Sequence, residues 1–328
     1  MLFHQISRLR MRYSSLFLYI NYAINTSIIM DISSTPYALS NDTAYQTWRN
    51  HKLINFTNDI NKLVIGVDNI TTPTSNEIKA LQGLINQYNM GFYRLNNPAT
   101  EATKNKRNIP QFARFFGLQT LDQNLCSDDD KLTSISVCKQ PNQHQYIPYS
   151  NKRLSWHTDG YYNTSQQQIN SFILHCEHPA KSGGESLLLD PDIAYILLRD
   201  ENPDYIRAFM QTDAMTIPAN ILNGKEIRAA QTGPIFSLHS TGALHMRYSA
   251  RTRNIKWQQN SATLEAVEFL QQLWKTGSPY ILRHTLQAHE GLLCNNVLHC
   301  RTAFEDSDDL QKKRLLYRGR YFDRVSTR

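Results

Sequence analysis

The sequence predicts a mainly β chain with flanking helices, an α+β arrangement built on a sandwich or barrel. Three observations lead there. Six short apolar runs, "NSFILHC", "ESLLLD", "GPIFSL", "ALHMRYS", "GLLCNNVLHC" and "RLLYRGRYF", lie between residues 170 and 322 and are broken by turn residues. Short strands at this spacing suit a sandwich or barrel better than alternating strand–helix units. Only two segments carry a clear helical period with capping signals. Finally, 328 residues with 41% hydrophobic and 19% charged content are enough to bury a large core without metals or disulfides as staples.

Taken in chain order, residues 1–30 hold Arg8, Arg10 and Arg12 and no acid, followed by a partly apolar stretch that Asn21 and Asn25 interrupt. That stretch is too short and too polar to span a bilayer. It reads as a targeting peptide or a poorly ordered extension, with Met30 as an alternative start. Residues 31–328 read as one domain whose first part, about 31–110, is rich in helix. Within it, Thr74 and Glu77 form a capping-box signature, and Ile78, Leu81, Leu84, Ile85 and Tyr88 then recur at helical spacing. "GFYRL" follows as a strand. A second helix is expected over 263–275, with Thr263 as N-cap and Gly277 just past its end. No internal repeat and no Pro/Gly-rich linker interrupts the chain.

Five cysteines, Cys126, Cys138, Cys176, Cys294 and Cys300, show no CxxC pair. An odd, irregular set fits reduced thiols and a cytoplasmic chain better than a disulfide framework. The net charge of +7 is uneven, because residues 311–328 carry seven basic side chains against Asp323. The middle is slightly acidic, so no nucleic-acid footprint spreads over the chain. "RYSARTRNIKW", 247–257, is basic, but without interleaved aromatics it reads as a solvated loop. The expected partner is a small molecule rather than nucleic acid or a membrane, and a homo-oligomer is compatible with this.

The chemistry centres on "LSWHTDG", 154–160. On a strand, His157 and Asp159 at i and i+2 point the same way. With 11 histidines and 28 acids in the chain, one H-x-D is a weak signal, and His175-Cys176-Glu177 is a second example. His175 lies opposite Phe172, Leu174 and Cys176 on its strand and reads as structural. A third ligand in a strand setting is His299, in "GLLCNNVLHCRTAF", with His284 and His289 as rivals. Two imidazoles and one carboxylate on one face leave up to three positions open, which is the ligand set of non-haem Fe(II) oxygenases. A zinc hydrolase could use the same three residues. Tyr146, Tyr149, Tyr161 and Tyr162 bracket the first ligands. Their rings could cage a quaternary ammonium or simply fill the core.

"WHTDG", "FILHCEHPAKSGGESLLLD", "NNVLHCRTAFED" and "RLLYRGRYF" appear in the order found in the TauD/TfdA family of Fe(II)/2-oxoglutarate dioxygenases. The resemblance covers residues 154–323. "LHC…GGES" and "VLHCRTAF" resemble the γ-butyrobetaine hydroxylase branch in particular, although no cysteine-rich N-terminal module is visible. The resemblance implies a double-stranded β-helix (a cupin-like jelly roll), with His157, Asp159 and His299 as iron ligands. It implies Arg314 as the group that grips the far carboxylate of 2-oxoglutarate, Ser186 as its helper, and Arg318 on the substrate or metal-side carboxylate. Tyr161, Tyr162 and Asn163 would lie on the substrate side. The implied cofactors are Fe(II), 2-oxoglutarate and dioxygen, and the implied reaction is hydroxylation of a small polar metabolite with release of succinate. An intact Asp159 argues against a halogenase, which needs that position free. A catalytically silent metabolite-binding jelly roll is the alternative from another class.

Overall fold

The computed structural model describes residues 32–123, 127–137, 147–222, 224–251 and 255–325. The extension at 1–30, Cys126, Cys138, Tyr146 and residues 252–254 therefore lie outside the described residues. The chain divides into two compact units, one running to Trp48 with His239–Ala243, the other comprising Arg49–Leu238 and Leu244–Arg328. In the first, Tyr37 and Tyr45 pack their rings on Trp48, at 5.2 and 6.2 Å between centroids.

Among the described residues, the second unit's two largest sheets hold ten strands between them. In chain order these are β1 (Val64–Val67), β2 (Met90–Leu95), β3 (Thr133–Ile135), β4 (Leu154–His157) and β5 (Ser171–His178). They continue with β6 (Ser186–Leu189), β7 (Leu282–His284), β8 (Glu290–Cys294), β9 (Leu298–Arg301) and β10 (Leu315–Tyr321). The major sheet has the order β1-β2-β8-β5-β10-β3, and the minor sheet β7-β6-β9-β4. Only β1 and β2 pair in parallel; the other contacts named here are antiparallel. Each apolar run singled out in the sequence contains at least one strand.

Strand alternation sorts the major sheet's side chains into two cores. One face, with Phe92, Phe172, Cys176, Leu292 and Leu316, meets Leu188 and Leu282 of the minor sheet and fills the space between the sheets. The other face, with Tyr93, Ile173, Leu293 and Tyr317, is covered by α2 (Ser75–Tyr88) and α3 (Ala102–Arg114) through Leu81, Ile85, Ile109 and Phe112. Fully burying each such side chain contributes about 1.5–3 kcal/mol. The N-terminal part also holds α1 (Asp42–Ile54), ahead of these. It also supplies β1 and β2, which form one edge of the major sheet; "VIGV" is too short to announce itself as a strand.

The Thr74–Glu77 capping box is present in both directions. The later helix spans Ser261–Thr276 and begins before the expected residue. Its N-cap is Asn260, whose side chain accepts from Thr263 N at 2.8 Å. Asn is as good an N-cap as Thr, and here it stands one position before the first turn. Gly277 closes the helix with φ +80°.

Arg314 and Arg320 are buried and Arg318 pairs with Asp159 inside the barrel, although strand alternation alone would send the arginines around β10 to solvent. One sequence expectation fails on burial: Arg247 is no solvated loop residue. It is buried and donates to the carbonyls of Gly233, Pro234, Tyr161 and Met215, stitching the chain after β5 to the turn that follows β4.

Candidate active site

His157 is the last residue of β4, and His299 sits opposite it in register on neighbouring β9. Their ring centroids are 4.2 Å apart. Asp159 lies in the turn just past the strand rather than on it, so strict strand alternation is not what aims it. Backbone pairing does: Thr158 N donates to Tyr248 O at 3.0 Å, and Asp159 N donates to the Asn296 side-chain oxygen at 2.8 Å. Asn296 also donates its amide to Asp159 O and Ile169 O, at 2.9 and 2.6 Å. It adopts φ +48°, a conformation Asn tolerates better than most residues. This Asn is the functional residue the sequence reading missed, because it looked like simple turn punctuation.

The candidate ligand atoms of His157, Asp159 and His299 lie within 4.8 Å of one another; His157 and Asp159 are buried and His299 is half-buried. His157 Nδ1 lies 2.8 Å from Ser155 O, and His299 Nδ1 lies 2.9 Å from Val297 O. A carbonyl oxygen only accepts, so each Nδ1 carries the hydrogen and each Nε2 keeps a lone pair for a metal. Burial, then the neighbouring His299, push the His157 pKa down to about 3, and burial foremost lowers that of His299. Burial alone would raise the Asp159 carboxyl, but Arg318, Arg320 and the two histidines outweigh it and hold it well below the carboxylate range. Its Oδ2 is buried without a hydrogen-bond partner. Two neutral imidazoles, one carboxylate and an orphaned oxygen fit a divalent iron.

The rivals do not join this cluster. His284 Nε2 is hydrogen-bonded to Glu290 at 2.8 Å, and His289 lies in a different group, with His175 and Glu177.

Arg318 reaches Asp159, Nη1 donating to Oδ1 at 3.2 Å. Arg314, at the entry to β10, is buried, with its guanidinium 4.9 Å from the Phe304 ring centroid and its Nη1 lacking a hydrogen-bond partner. Burial foremost lowers its pKa to about 10. Arg301 lies 4.8 Å from the same ring and donates to Ser150 O and Lys152 O. Ser186 pairs with Arg301 and Leu188 with His299 across the β6–β9 ladder, so Ser186 shares a face with the metal ligand. The preceding glycines fit tightly: Gly183, at φ +73°, would place a Cβ 2.4 Å from Ala303 O, which no side chain could accept.

On the other side, Tyr161 is buried with its ring 6.4 Å from His157. Tyr162 OH accepts from Arg320 Nη1 at 2.9 Å, and Arg228 lies 5.5 Å from its ring centroid. Two guanidinium groups thus already lie against Tyr162, which argues against an ammonium cage there. Asn163 donates its amide to Gln167 O at 2.9 Å, closing its own loop.

Comparison with known proteins follows the same line. Residues 56–319 match the family described as taurine catabolism dioxygenase TauD, TfdA family. The chain belongs to the TauD/TfdA family. Members use Fe(II) and 2-oxoglutarate with dioxygen, and the His157–Asp159–His299 cluster is a group that could hold such a metal. A uridine-5'-phosphate dioxygenase of Amycolatopsis sp is 29% identical over 164 residues, covering 48% of this chain and 57% of that relative. This TauD/TfdA chain therefore spans little more than half the length of that relative. Among solved structures, a putative α-ketoglutarate-dependent taurine dioxygenase from Burkholderia xenovorans has TM-score 0.52 at 21% identity, covering 80% of this chain and 87% of its own. An asparagine oxygenase in complex with Fe(II), 2S,3S-3-hydroxyasparagine and succinate has TM-score 0.53 at 12% identity, covering 79% and 93%. These two share the jelly-roll fold. Among the described residues no helix is long and apolar enough to cross a membrane.

Proposed function

We propose that this TauD/TfdA chain hydroxylates a small polar metabolite (an amino acid, betaine or other small acid), with decarboxylation of 2-oxoglutarate to succinate. The observation that carries the reading is the largely buried cluster of His157, Asp159 and His299, with its two Nε2 lone pairs and the orphaned Asp159 Oδ2, combined with the unpartnered buried Nη1 of Arg314. An unpaired cation in a closed interior is costly unless an anion joins it.

His157, Asp159 and His299 would hold the iron. Arg314 would grip the far carboxylate of 2-oxoglutarate with the fork geometry of a guanidinium, and Ser186, on the same face as His299, would assist. With its cofactors bound, such a centre supplies oxidative decarboxylation coupled to oxidation of a substrate C–H bond. The protein's share is positional. The carbonyls of Ser155 and Val297 keep the imidazoles neutral and aimed, Asn296 fixes the Asp159 turn, and Tyr161 excludes water beside His157. Arg318 keeps Asp159 ionised and faces the substrate or the metal-side carboxylate, with Tyr161, Tyr162 and the Asn163 loop on the substrate side. The γ-butyrobetaine hydroxylase branch rests on "GGES" and "VLHCRTAF". The guanidinium groups of Arg228 and Arg320 against Tyr162 favour an acid over a quaternary ammonium, and the 5'-phosphate in the relative's name points the same way. The dioxygenase domain would span 31–328.

The test is succinate formation by the full chain with Fe(II), ascorbate and 2-oxoglutarate, screened over a metabolite panel. We expect slow uncoupled succinate release, stimulated by an acidic metabolite and abolished in His299→Ala. Iron binding without any succinate across the panel would leave a silent binding protein as the better account.

A further inference from the structure

A second group of potential ligands lies on the opposite side of β5. His175, Glu177 and His289 bring their ligand atoms within 4.8 Å of one another. His175 and Glu177 alternate onto the β5 face covered by α3, whereas Phe172 on the other face packs its ring 4.9 Å from His299. His175 is fully buried and Glu177 nearly so. His175 Nε2 and His289 Nδ1 are both buried without a hydrogen-bond partner, and His175 Nε2 stands 4.0 Å from Glu177 Oε2. Two orphaned imidazole nitrogens beside one buried carboxylate leave strong polar groups unsatisfied, each worth about 1–3 kcal/mol. Native interiors avoid this unless something unseen joins them.

The surroundings are those of a built site. His175 Nδ1 lies 3.1 Å from Tyr93 OH, a contact that can hold the Nε2 lone pair toward the cluster. Gly291 makes room for that tyrosine, since a Cβ there would fall 2.3 Å from its hydroxyl oxygen. Asn105 of α3, itself fully buried, donates to both oxygens of Glu177 at 3.2 Å and fixes the carboxylate. His289 is pinned on both sides: its N donates to Cys176 O at 2.7 Å and its O accepts from Leu95 N at 3.0 Å. It adopts φ +64°, a conformation rare for histidine and one that tends to mark sites under constraint.

We propose that His175, Glu177 and His289 form a second, structural metal site of the zinc type, which ties β5 to α3 and to the turn before β8. The reading is independent of the iron centre. Two imidazoles and one carboxylate select a borderline cation such as Zn(II) or Co(II) over Mg(II) or Ca(II), which prefer oxygen donors. Bonds of about 2.0–2.1 Å set tetrahedral ligands roughly 3.3 Å apart, so His175 Nε2 and Glu177 Oε2, now 4.0 Å apart, would draw together on binding.

The experiment is a metal count on the full chain, stripped by chelator and reloaded with excess Zn(II). The wild type should hold two equivalents, His289→Asn one, and His157→Ala one. Asn tolerates φ near +60°, so His289→Asn removes the ligand without straining the turn; Glu177→Gln, which keeps the Asn105 contact, is the second variant. In a His157→Ala background, Co(II) should give the strong visible bands of a tetrahedral ion, lost on adding His289→Asn. Zn(II) should raise the melting temperature of His157→Ala and fail to do so in the double variant. A single equivalent in the wild type that disappears in His157→Ala would overturn the proposal. So would two equivalents retained in both His289→Asn and Glu177→Gln.

Discussion

Replacing Arg314 by Met should make the ligand-free protein more stable while nearly abolishing 2-oxoglutarate binding. Arg314 is 6% exposed, and burial is the main reason its pKa falls from 12.5 to about 10. At 1.36 kcal/mol per pKa unit, the charged form is disfavoured by about 3 kcal/mol in the free protein. Methionine fills similar space without charge. It forfeits the guanidinium–Phe304 contact at 4.9 Å, worth about 0.5–2 kcal/mol. The difference leaves the variant more stable by about 1–2 kcal/mol, a rise of a few degrees in melting temperature. In the complex the sign reverses, because the co-substrate's carboxylate loses a buried charge partner at about 2–5 kcal/mol. Affinity for 2-oxoglutarate should fall by roughly two to three orders of magnitude. The assay is a pair of melts, with and without 2-oxoglutarate under anaerobic Fe(II), plus calorimetric titration. Arg314→Lys keeps the charge without the fork and should recover only part of the affinity. A ligand-free melt several degrees lower than wild type, together with unchanged 2-oxoglutarate affinity, would refute the assignment and leave Arg314 a packing residue.

His299→Ala should lose iron with its fold intact, checked by elemental analysis in a His289→Asn background beside a melt; unchanged occupancy there would sink His299 as a ligand. Arg318→Ala should weaken turnover of the prime substrate while uncoupled succinate release persists, since its contact is with Asp159 rather than with the far end of the co-substrate. Asn296→Ala removes three hydrogen bonds and an adapted φ and should cost about 2–4 kcal/mol in a denaturant melt, with weaker iron binding. Glu290 is fully buried. Burial would raise its pKa, but hydrogen bonds from His284, Gln287 N and Arg94 lower it from 4.5 to about 2. Its contribution, at most about 3 kcal/mol, is complete above pH 4.5 and lost as the pH falls toward 2. Glu290→Gln should therefore flatten the acid limb of the stability profile over that window.

β5, β6, β8, β9 and β10 were legible because each lies in an apolar run bounded by turn residues, and α2 because its capping box and 3.6 period agree. The metal triad was legible from ligand type and motif order, not from strand geometry, since Asp159 sits in a turn whose direction comes from Asn296 and Tyr248, far off in sequence. β1 was hidden by its shortness; only pairing with β2 makes it a strand. Strand alternation alone could not place the β10 arginines, because burial of a charge depends on what faces it across the barrel, and that is a property of the tertiary fold; the motif resemblance is what marked Arg314 and Arg318 for the interior. His175 read as structural, which its full burial supports, but a single-sequence reading had no means to bring His289 beside it.

The distribution of buried cations ties the fold to the chemistry. Arg320 meets Asp122 and Tyr162 and Arg318 meets Asp159, although each keeps a buried Nε without a partner, and five carbonyls hold Arg247. Arg301 and Arg314 flank Phe304 from the rim of the same ladder, each lowering the other's tendency to stay charged, and each retains a buried nitrogen without a partner. Two like charges around one ring are unfavourable in isolation, and burial outweighs the Asp306 carboxylate that favours the charged form of Arg314, so a further anion would be welcome beside the pair. A dicarboxylate co-substrate with one end on the iron and the other between these cations would neutralise the site at a single step. The free protein would then be strained where the complex is relaxed, so 2-oxoglutarate should stabilise this chain against melting by more than the iron alone.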